Sequence, residues 1–194
     1  MANCKDEAPC CRICLDEEST DNILITPCKC IGSVKYIHIS CIQEWLEGKK
    51  HKKETPYVNS YIWRGLECEI CKAFYKDLIK LPNGKEISLL KFDVHLDAEK
   101  FMILESVTNS SSKTIHVVNF SASSYTKVGR GSQCEVRITD VSVSRHHSSF
   151  ELVYDTKTQM QCIGLTVCDE MSKFGTLVFM RKPIPVKKGK KIQM

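Results

Sequence analysis

The sequence lacks any long apolar run, which excludes an ordinary helical membrane protein. Nowhere do its 194 residues approach the ~20 consecutive apolar residues that a membrane-spanning helix needs. The amino terminus also lacks the apolar segment of a secretory signal, so we expect a soluble protein of the cytoplasm or nucleus. Charged residues make up 26% and apolar residues 42% of the chain, a composition that excludes general disorder.

Cysteine is the residue that the sequence has in excess, with 12 in all, most of them in the first 71 positions. In a reducing compartment, closely paired cysteines indicate metal ligands rather than disulfides. Zinc takes four nitrogen or sulfur ligands, so eight ligands predict two structural zinc ions whose binding helps this segment to fold. The eight candidates form four pairs: Cys11 with Cys14, Cys28 with Cys30, His38 with Cys41, and Cys68 with Cys71.

The order of these ligands, four cysteines, a histidine and three cysteines, resembles that of the RING-CH (RING-variant) zinc finger. Residues 11–14, 26–33, 38–45 and 68–71 carry the resemblance. It implies a cross-brace of two interleaved sites. One zinc ion would be held by Cys11, Cys14, His38 and Cys41, and the other by Cys28, Cys30, Cys68 and Cys71.

Two features of the sequence bear on this interpretation. The stretch between Cys41 and Cys68 is long for the family, and we expect a helix extension and a loop there. PHD fingers, which bind histone tails, share the ligand order, but they usually have Trp two residues before the seventh ligand. Leu66 occupies that position here, and Trp45 follows Cys41 instead, which favours RING-CH and leaves a PHD-like reader as an alternative.

A RING-CH module needs no catalytic residue of its own. It binds a ubiquitin-conjugating enzyme and holds the attached ubiquitin in a reactive position. The resemblance implies that the enzyme docks on Ile13 and Trp45, and that Lys72 contacts both the enzyme and ubiquitin. Ile42 and Leu46 share a helical face with Trp45, and we expect these two to be core residues.

The sequence also predicts a second domain. Turn-forming residues at 80–85 indicate a boundary, so we expect a RING-CH domain at 1–80, a linker at 81–100 and a further domain at 101–194. The fold class is then α+β, a zinc cross-brace followed by an all-β sandwich. Short β-branched and aromatic runs predict its strands at 101–107, 115–120, 136–138, 149–154, 162–168 and 176–180.

Motifs among these strands resemble the forkhead-associated (FHA) domain, which binds phosphothreonine peptides. They are Gly129 with Arg130, Ser144 with His147, and the segment 169–176, in which Phe174 stands where the family commonly has Asn. A doubly charged phosphate needs a fixed cation and several donors. For this we assign Arg130 as a bidentate fork, Ser144 as a hydroxyl donor, Lys173 as a second cation and Arg145 as a contact to the peptide backbone. The resemblance implies that His147 is a structural buttress between loops.

Together these observations predict a ubiquitin-protein ligase that uses an FHA domain to bind phosphothreonine-containing substrates or partners. A non-enzymatic phosphopeptide scaffold and the PHD-like histone reader are the alternatives. Seven thiolates and two zinc ions would lower the net charge from +5 to about +2. We therefore expect neither a membrane nor a specific nucleic acid among the partners.

Overall fold

The computed structural model describes residues 8–81, 83–94, 100–107, 111–121, 123–155 and 162–179. The chain divides into two compact units, Met1–Ser124 and Tyr125–Met194. Among the residues described, no helix is both long and apolar enough to cross a lipid bilayer. The first unit contains β1 (Leu24–Ile25), β2 (Ile37–His38), α1 (Ile39–Glu47), β3 (Lys50–Glu54), β4 (Val58–Arg64), β5 (Leu78–Lys80), β6 (Glu86–Ser88), β7 (Phe101–Glu105) and β8 (Ser112–Asn119).

The helix α1 begins directly after the histidine ligand and is held there by its neighbours. The Ile39 N–H donates to the Ile23 carbonyl (3.1 Å), and the Ser40 N–H donates to the Asn22 amide oxygen (3.4 Å). These bonds provide partners for polar groups that the first turn of a helix leaves free. Ile42 and Leu46 are each 1% exposed, which confirms their expected core role, and each burial stabilises the fold by about 1.5–3 kcal/mol.

A β-hairpin occupies most of the stretch between Cys41 and Cys68, so the expected helix extension and loop were wrong. Strands β3 and β4 pair antiparallel, from Lys50 opposite Trp63 to Glu54 opposite Asn59. β3 is the outer strand and is rich in exposed lysine, which discourages pairing with other chains. The sequence pattern concealed the hairpin because β4 is buried on both faces and therefore lacks a simple alternation.

The hairpin joins a four-stranded antiparallel sheet of order β3-β4-β8-β7. β4 pairs with β8 along its whole length, from Val58 opposite Val118 to Arg64 opposite Ser112. The sheet shares one hydrophobic core with the cysteine-rich segment. That core includes Ile42, Leu46, Tyr61, Trp63, Leu81, Leu89, Leu90, Ile115 and Val117.

This packing bears on how the chain is divided. Strands β7 and β8 fall within the segment predicted as the second domain, yet they pair with β4 and lie in the first compact unit. Leu81, Leu89 and Leu90, from the predicted linker, are buried in the same core. Membership of a compact unit does not by itself define a domain, so the limits 1–80, 81–100 and 101–194 stay a prediction.

The second unit contains β9 (Tyr125–Gly129), β10 (Val136–Arg137), β11 (Ser148–Tyr154) and β12 (Cys162–Asp169). They form a sheet of order β10-β9-β11-β12, antiparallel except for the β10–β9 pair. Sequence analysis missed β9. It also predicted a strand at 176–180, and the structure has none at 176–179, while residue 180 lies outside the described part. The α+β fold class is confirmed.

A buried histidine gives the first unit a pH-dependent stability. Burial lowers the pKa of His116, on β8, below its ordinary 6.5, and its Nδ1 lies 2.8 Å from the Ser60 hydroxyl on β4. The unfolded chain therefore binds a proton at this site more readily, and the site's contribution to stability is lost as the pH falls below about 6.5.

We expect the wild type to lose more stability than His116→Gln when the pH is lowered from 7.5 to 5.5. The measurement is chemical unfolding at several pH values, and comparing the two proteins cancels proton effects at the cysteine ligands. His51→Gln, at an exposed position of β3, serves as control and should follow the wild type. Parallel pH profiles for wild type and His116→Gln would contradict the assignment.

Candidate metal centres and phosphate-binding loops

The structure assembles the eight predicted ligands into two clusters. In each cluster all the ligand atoms lie within 4.8 Å of one another. A tetrahedral zinc ion with Zn–S bonds of about 2.3 Å holds two sulfurs about 3.8 Å apart. The Cys30 and Cys68 sulfurs are 3.7 Å apart, so the spacing matches. The clusters are Cys11, Cys14, His38 and Cys41, and Cys28, Cys30, Cys68 and Cys71.

The histidine of the first cluster is oriented for binding through Nδ1. This atom lies 3.2 Å from the Cys14 sulfur and 3.9 Å from the Cys41 sulfur. A nitrogen and a sulfur bound to the same tetrahedral zinc ion are about 3.6 Å apart, so both distances are close to the required one. The other ring nitrogen, Nε2, lies 3.0 Å from the Glu17 carbonyl oxygen, to which it can donate. Such a bond fixes both the ring and its tautomer. The two clusters fit two zinc ions.

Matching turns present the two Cys-x2-Cys pairs. The residue after each pair, Leu15 or Lys72, has a left-handed backbone, with φ of 69° and 57°. Its N–H donates to the carbonyl of the first cysteine, Leu15 to Cys11 (2.8 Å) and Lys72 to Cys68 (2.9 Å). These closed turns direct two thiolates toward one point, and the strained conformation of a non-glycine residue is held by the surrounding bonds.

Arg12 is a functional candidate that sequence analysis missed. It lies between two ligands of the first cluster, but its guanidinium contacts the second, donating to the Cys30 and Cys68 sulfurs at 3.4 Å each. It also donates to the Val34 carbonyl (2.9 Å) and the Tyr75 hydroxyl (3.2 Å). An arginine between two cysteine ligands was visible in the sequence, but its target depends on the tertiary fold.

Backbone N–H groups of the second turn, together with Arg12, change the acidity of the Cys68 thiol. Burial alone would raise the pKa of Cys68, but the backbone N–H groups of Cys71 and Ile70 and the Arg12 guanidinium lower it to about 5. By contrast, burial and the neighbouring thiols raise the pKa of Cys30 to about 12. Cys68 is thus the thiol of this cluster most readily ionised for metal binding.

An apolar depression lies between the two turns. It has a volume of about 200 Å³, and its lining includes Ile13, Trp45 and Ile70. Ile13 is 47% and Ile70 60% exposed. The structure thus brings Ile13 together with Trp45, as the resemblance implied, and adds Ile70, which sequence analysis missed. Ile70 occupies the same position in the second cysteine pair that Ile13 occupies in the first.

The indole of Trp45 is held in place from two directions. The Lys49 ammonium lies 3.6 Å from the ring centroid. Tyr75 makes an edge-to-face contact with centroids 5.7 Å apart, and its hydroxyl accepts a bond from Arg12. Trp45 is therefore packed on two sides at the edge of the depression. Lys72 is exposed at the turn after the last ligand and does not line this depression.

In the second unit, two glycines allow the predicted phosphate-binding loops to approach each other. A Cβ on Gly129 would lie 2.3 Å from the Arg145 carbonyl oxygen, and one on Gly131 would lie 2.8 Å from the same atom. Backbone bonds from Arg130 to the Ser144 carbonyl and from Gly131 to the Arg145 carbonyl, both 2.9 Å, close the contact. This is the physical reason for glycine on both sides of Arg130.

The same contact brings the candidate phosphate ligands together. The Arg130 Nε donates to the Val143 carbonyl (3.3 Å), which leaves its two terminal nitrogens free of bonds within the described residues. The Ser144 hydroxyl oxygen accepts a bond from the Lys173 N–H (3.0 Å), so its own proton is free to be donated. His147 is half-buried, and its Nδ1 accepts a bond from the Ser144 N–H (3.1 Å).

The third loop, 169–176, is organised by Asp169. The Ser172 and Thr176 hydroxyls donate to its carboxylate at 2.6 and 2.8 Å and lower its pKa. Lys173 is exposed, and its ammonium lies 5.1 Å from the Phe174 ring centroid. Arg145 is also exposed and contributes its carbonyl to the loop contact.

Family models match both parts of the chain. The RING-variant domain matches residues 11–71, the segment that contains all eight ligands. The FHA domain matches residues 126–194. This match starts one residue after Tyr125, the first residue of the second compact unit. The first match favours the RING-CH interpretation over the PHD finger.

Similar proteins are named ubiquitin ligases. The ERAD-associated E3 ubiquitin-protein ligase DOA10 of Saccharomyces cerevisiae is 41% identical over 98 residues, which are 46% of this chain and 7% of that protein. E3 ubiquitin-protein ligase MARCHF7 of Pongo abelii is 36% identical over 92 residues, 47% of this chain and 11% of the relative.

A longer match is to E3 ubiquitin-protein ligase MARCHF8 of Xenopus tropicalis, 25% identical over 88% of this chain and 52% of the relative. The chain therefore spans about half of that protein and a small fraction of the other two. The ligand clusters lie in a segment that resembles the RING-variant domain, and the three loops lie in a segment that resembles the FHA domain.

Proposed function

We propose that this chain is a ubiquitin-protein ligase whose RING-variant domain recruits a ubiquitin-conjugating enzyme. The observation that carries the proposal is the depression formed by Ile13, Trp45 and Ile70, three apolar side chains presented on the two zinc-binding turns and on α1. Exposed apolar residues on a rigid support are typical anchors of a protein interface. The names of the relatives support the same activity.

In this proposal the chain supplies position rather than chemistry. Cys11 with Cys14 and Cys68 with Cys71 would each hold one of the two zinc ions, which would rigidify the turn that carries Ile13 and the turn that carries Ile70. No catalytic side chain is assigned, because a bound conjugating enzyme carries its own thioester and needs only to be held in a productive arrangement. Lys72, at the left-handed position after Cys71, supplies a cation toward the enzyme and ubiquitin.

Arg12 links the second metal site to the docking surface. Four thiolates around one zinc ion carry a net charge of −2, and the guanidinium offsets part of it while donating two N–H···S bonds. Through Tyr75 the same guanidinium supports the ring that packs against Trp45. Loss of Arg12 should therefore weaken the second zinc site.

The FHA domain is the second component of the proposal and selects phosphothreonine-containing proteins. Arg130 offers two free terminal nitrogens, Ser144 a free hydroxyl proton, and Lys173 an exposed ammonium. A phosphate with three acceptor oxygens and a charge near −2 matches this set of donors. Arg145 contacts the peptide backbone, and His147 holds the Ser144 loop in place.

Zinc retention tests the role of Arg12. We expect Arg12→Ala to weaken binding of the second zinc ion about 10–100-fold, because metal sites depend on the bonds made to their ligands. Arg12→Lys keeps the charge, and its affinity for the second zinc ion should lie between those of the wild type and Arg12→Ala. The measurement is zinc transfer to a chelator, with elemental analysis of the purified protein. Arg64→Ala, at an exposed arginine, is the control, and equal retention in Arg12→Ala would refute the role.

Conjugating-enzyme binding tests the ligase proposal. A panel of conjugating enzymes is assayed for binding and for autoubiquitination with the full chain. We expect Ile70→Ala and Ile13→Ala each to weaken binding of the conjugating enzyme about tenfold or more, because apolar anchors that a partner covers contribute most of the affinity. The zinc content of both variants should stay at two ions. Ile31→Ala is the matched control, because Ile31 is 84% exposed and does not line the depression.

The negative outcome of this experiment separates the alternatives. A zinc-loaded, folded protein that binds no enzyme of the panel would refute the ligase proposal. If that protein still bound phosphopeptides, it would be a scaffold. If it bound unmodified or methylated histone peptides instead, it would be a PHD-like reader.

Phosphopeptide affinity tests the FHA site. We expect Arg130→Ala to lower the affinity for a phosphothreonine peptide about 10-fold or more, because bonds to a charged group contribute about 1.5–3 kcal/mol. Arg130→Lys should retain part of the affinity for the phosphothreonine peptide, because it keeps the positive charge. Lys127→Ala removes a charge from the same strand β9 and should have little effect. Equal affinities for wild type and Arg130→Ala would show that the phosphate binds elsewhere.

A further inference from the structure

A second and larger depression lies on the first unit, and of its lining residues only Lys72 is assigned to the conjugating enzyme in the proposed ligase activity. Its volume is about 1010 Å³, and it is lined by β1, the loop that follows it, the segment after the last zinc ligand, and β5. None of its lining residues belongs to the depression of Ile13, Trp45 and Ile70. We call this surface the basic groove.

The floor of the basic groove is apolar. Ile25, Pro27 and Leu81 are buried there. Phe74 and Leu78, which also line it, are 50% and 55% exposed. Neighbouring large apolar side chains with this much exposed area are characteristic of a protein-binding surface.

Lysines surround this floor. Lys29, Lys76 and Lys80 line the groove and are exposed, and within the described residues none of them has an ion-pair partner. Asp77, the acidic residue next to Lys76, pairs with Lys113 instead (2.7 Å). Glu86 lies opposite Lys80 in the strand register, but it does not line the groove and forms no ion pair with Lys80 among the described residues. The groove therefore keeps an excess of positive charge.

Strand β5, which lines the groove, has one unpaired edge. Among the described strands it pairs only with β6, whereas the outer side of β1 is occupied by the Leu24 N–H bond to the Glu18 carboxylate (3.1 Å). An extended peptide can form backbone bonds with such an edge while its side chains alternate between the floor and the rim. This favours an extended segment as the occupant.

We propose that the basic groove binds an extended segment of a partner protein in which acidic residues flank one or two large apolar residues. The apolar side chains cover Phe74 and Leu78, and the carboxylates pair with Lys29, Lys76 and Lys80. Nucleic acid would match the charge, but it would leave the apolar floor uncovered. The proposal does not depend on ligase activity.

The test uses labelled peptides in which Asp and Glu flank Leu or Phe, and it measures their affinity for the full chain by fluorescence polarisation. We expect binding that weakens with added salt, and a loss of about tenfold or more in the double variant Lys76→Glu, Lys80→Glu. Phe74→Ser should weaken binding at constant charge. Lys53→Glu, on the exposed edge β3, is the matched control and should bind like the wild type.

Several results would overturn the proposal. One is the absence of binding by every peptide of the set. Another is equal binding of peptides whose Leu or Phe is replaced by Ser, or tighter binding of oligothymidylate, which would make the groove a general anion site. Lys72 also lines the groove but is left unchanged because it is assigned to the conjugating enzyme. Zinc content and enzyme binding should be normal in all variants, so failure here leaves the ligase proposal intact.

Discussion

Coordination of metal by residues far apart in the sequence is the constraint on which the first unit depends. Cys11 and Cys41 must meet at one point, and Cys28 and Cys71 at another, so four chain segments are joined in two interleaved pairs. The short strands β1 and β2, with two residues each, could not do this alone. The ligand clusters place the two turns side by side, and every surface discussed for this unit is built on those turns or next to them.

The two metal sites are not independent of each other. Arg12 belongs by sequence to the first cysteine pair and by contact to the second cluster. Its guanidinium joins the thiolates to Tyr75, which packs on Trp45. A single side chain thus connects metal binding to the apolar surface. The same geometry explains why a positive charge can be partly buried there, since thiolates compensate it.

The cysteine-rich segment and the sheet that follows share one core. Tyr61 and Trp63 come from the hairpin inserted between zinc ligands, and Ile115 and Val117 come from β8. Folding of the metal-binding segment and formation of the sheet therefore stabilise each other. The insertion between Cys41 and Cys68 is best understood as a structural element that enlarges the core of a small zinc module.

The sequence alone determined the chemistry of the sites. The spacing of cysteine and histidine predicted all eight ligands, because soft ligands in four close pairs are typical of structural zinc sites. It also predicted the buried face of α1, because Ile42 and Leu46 repeat with the helical period. Gly129 and Arg130 were recognised in the sequence as part of a motif, but the close approach of two loops at Gly129 and Gly131 was seen only in the structure.

Only the tertiary structure decided what depends on distant contacts. The hairpin of β3 and β4 was missed, because a strand buried on both faces gives no alternating pattern. The strand expected at 176–180 did not form at 176–179, because a run of β-branched and apolar residues predicts strand propensity but cannot supply a pairing partner. Ile70, Arg12 and the basic groove became visible only in three dimensions, because each is defined by residues that folding brings together.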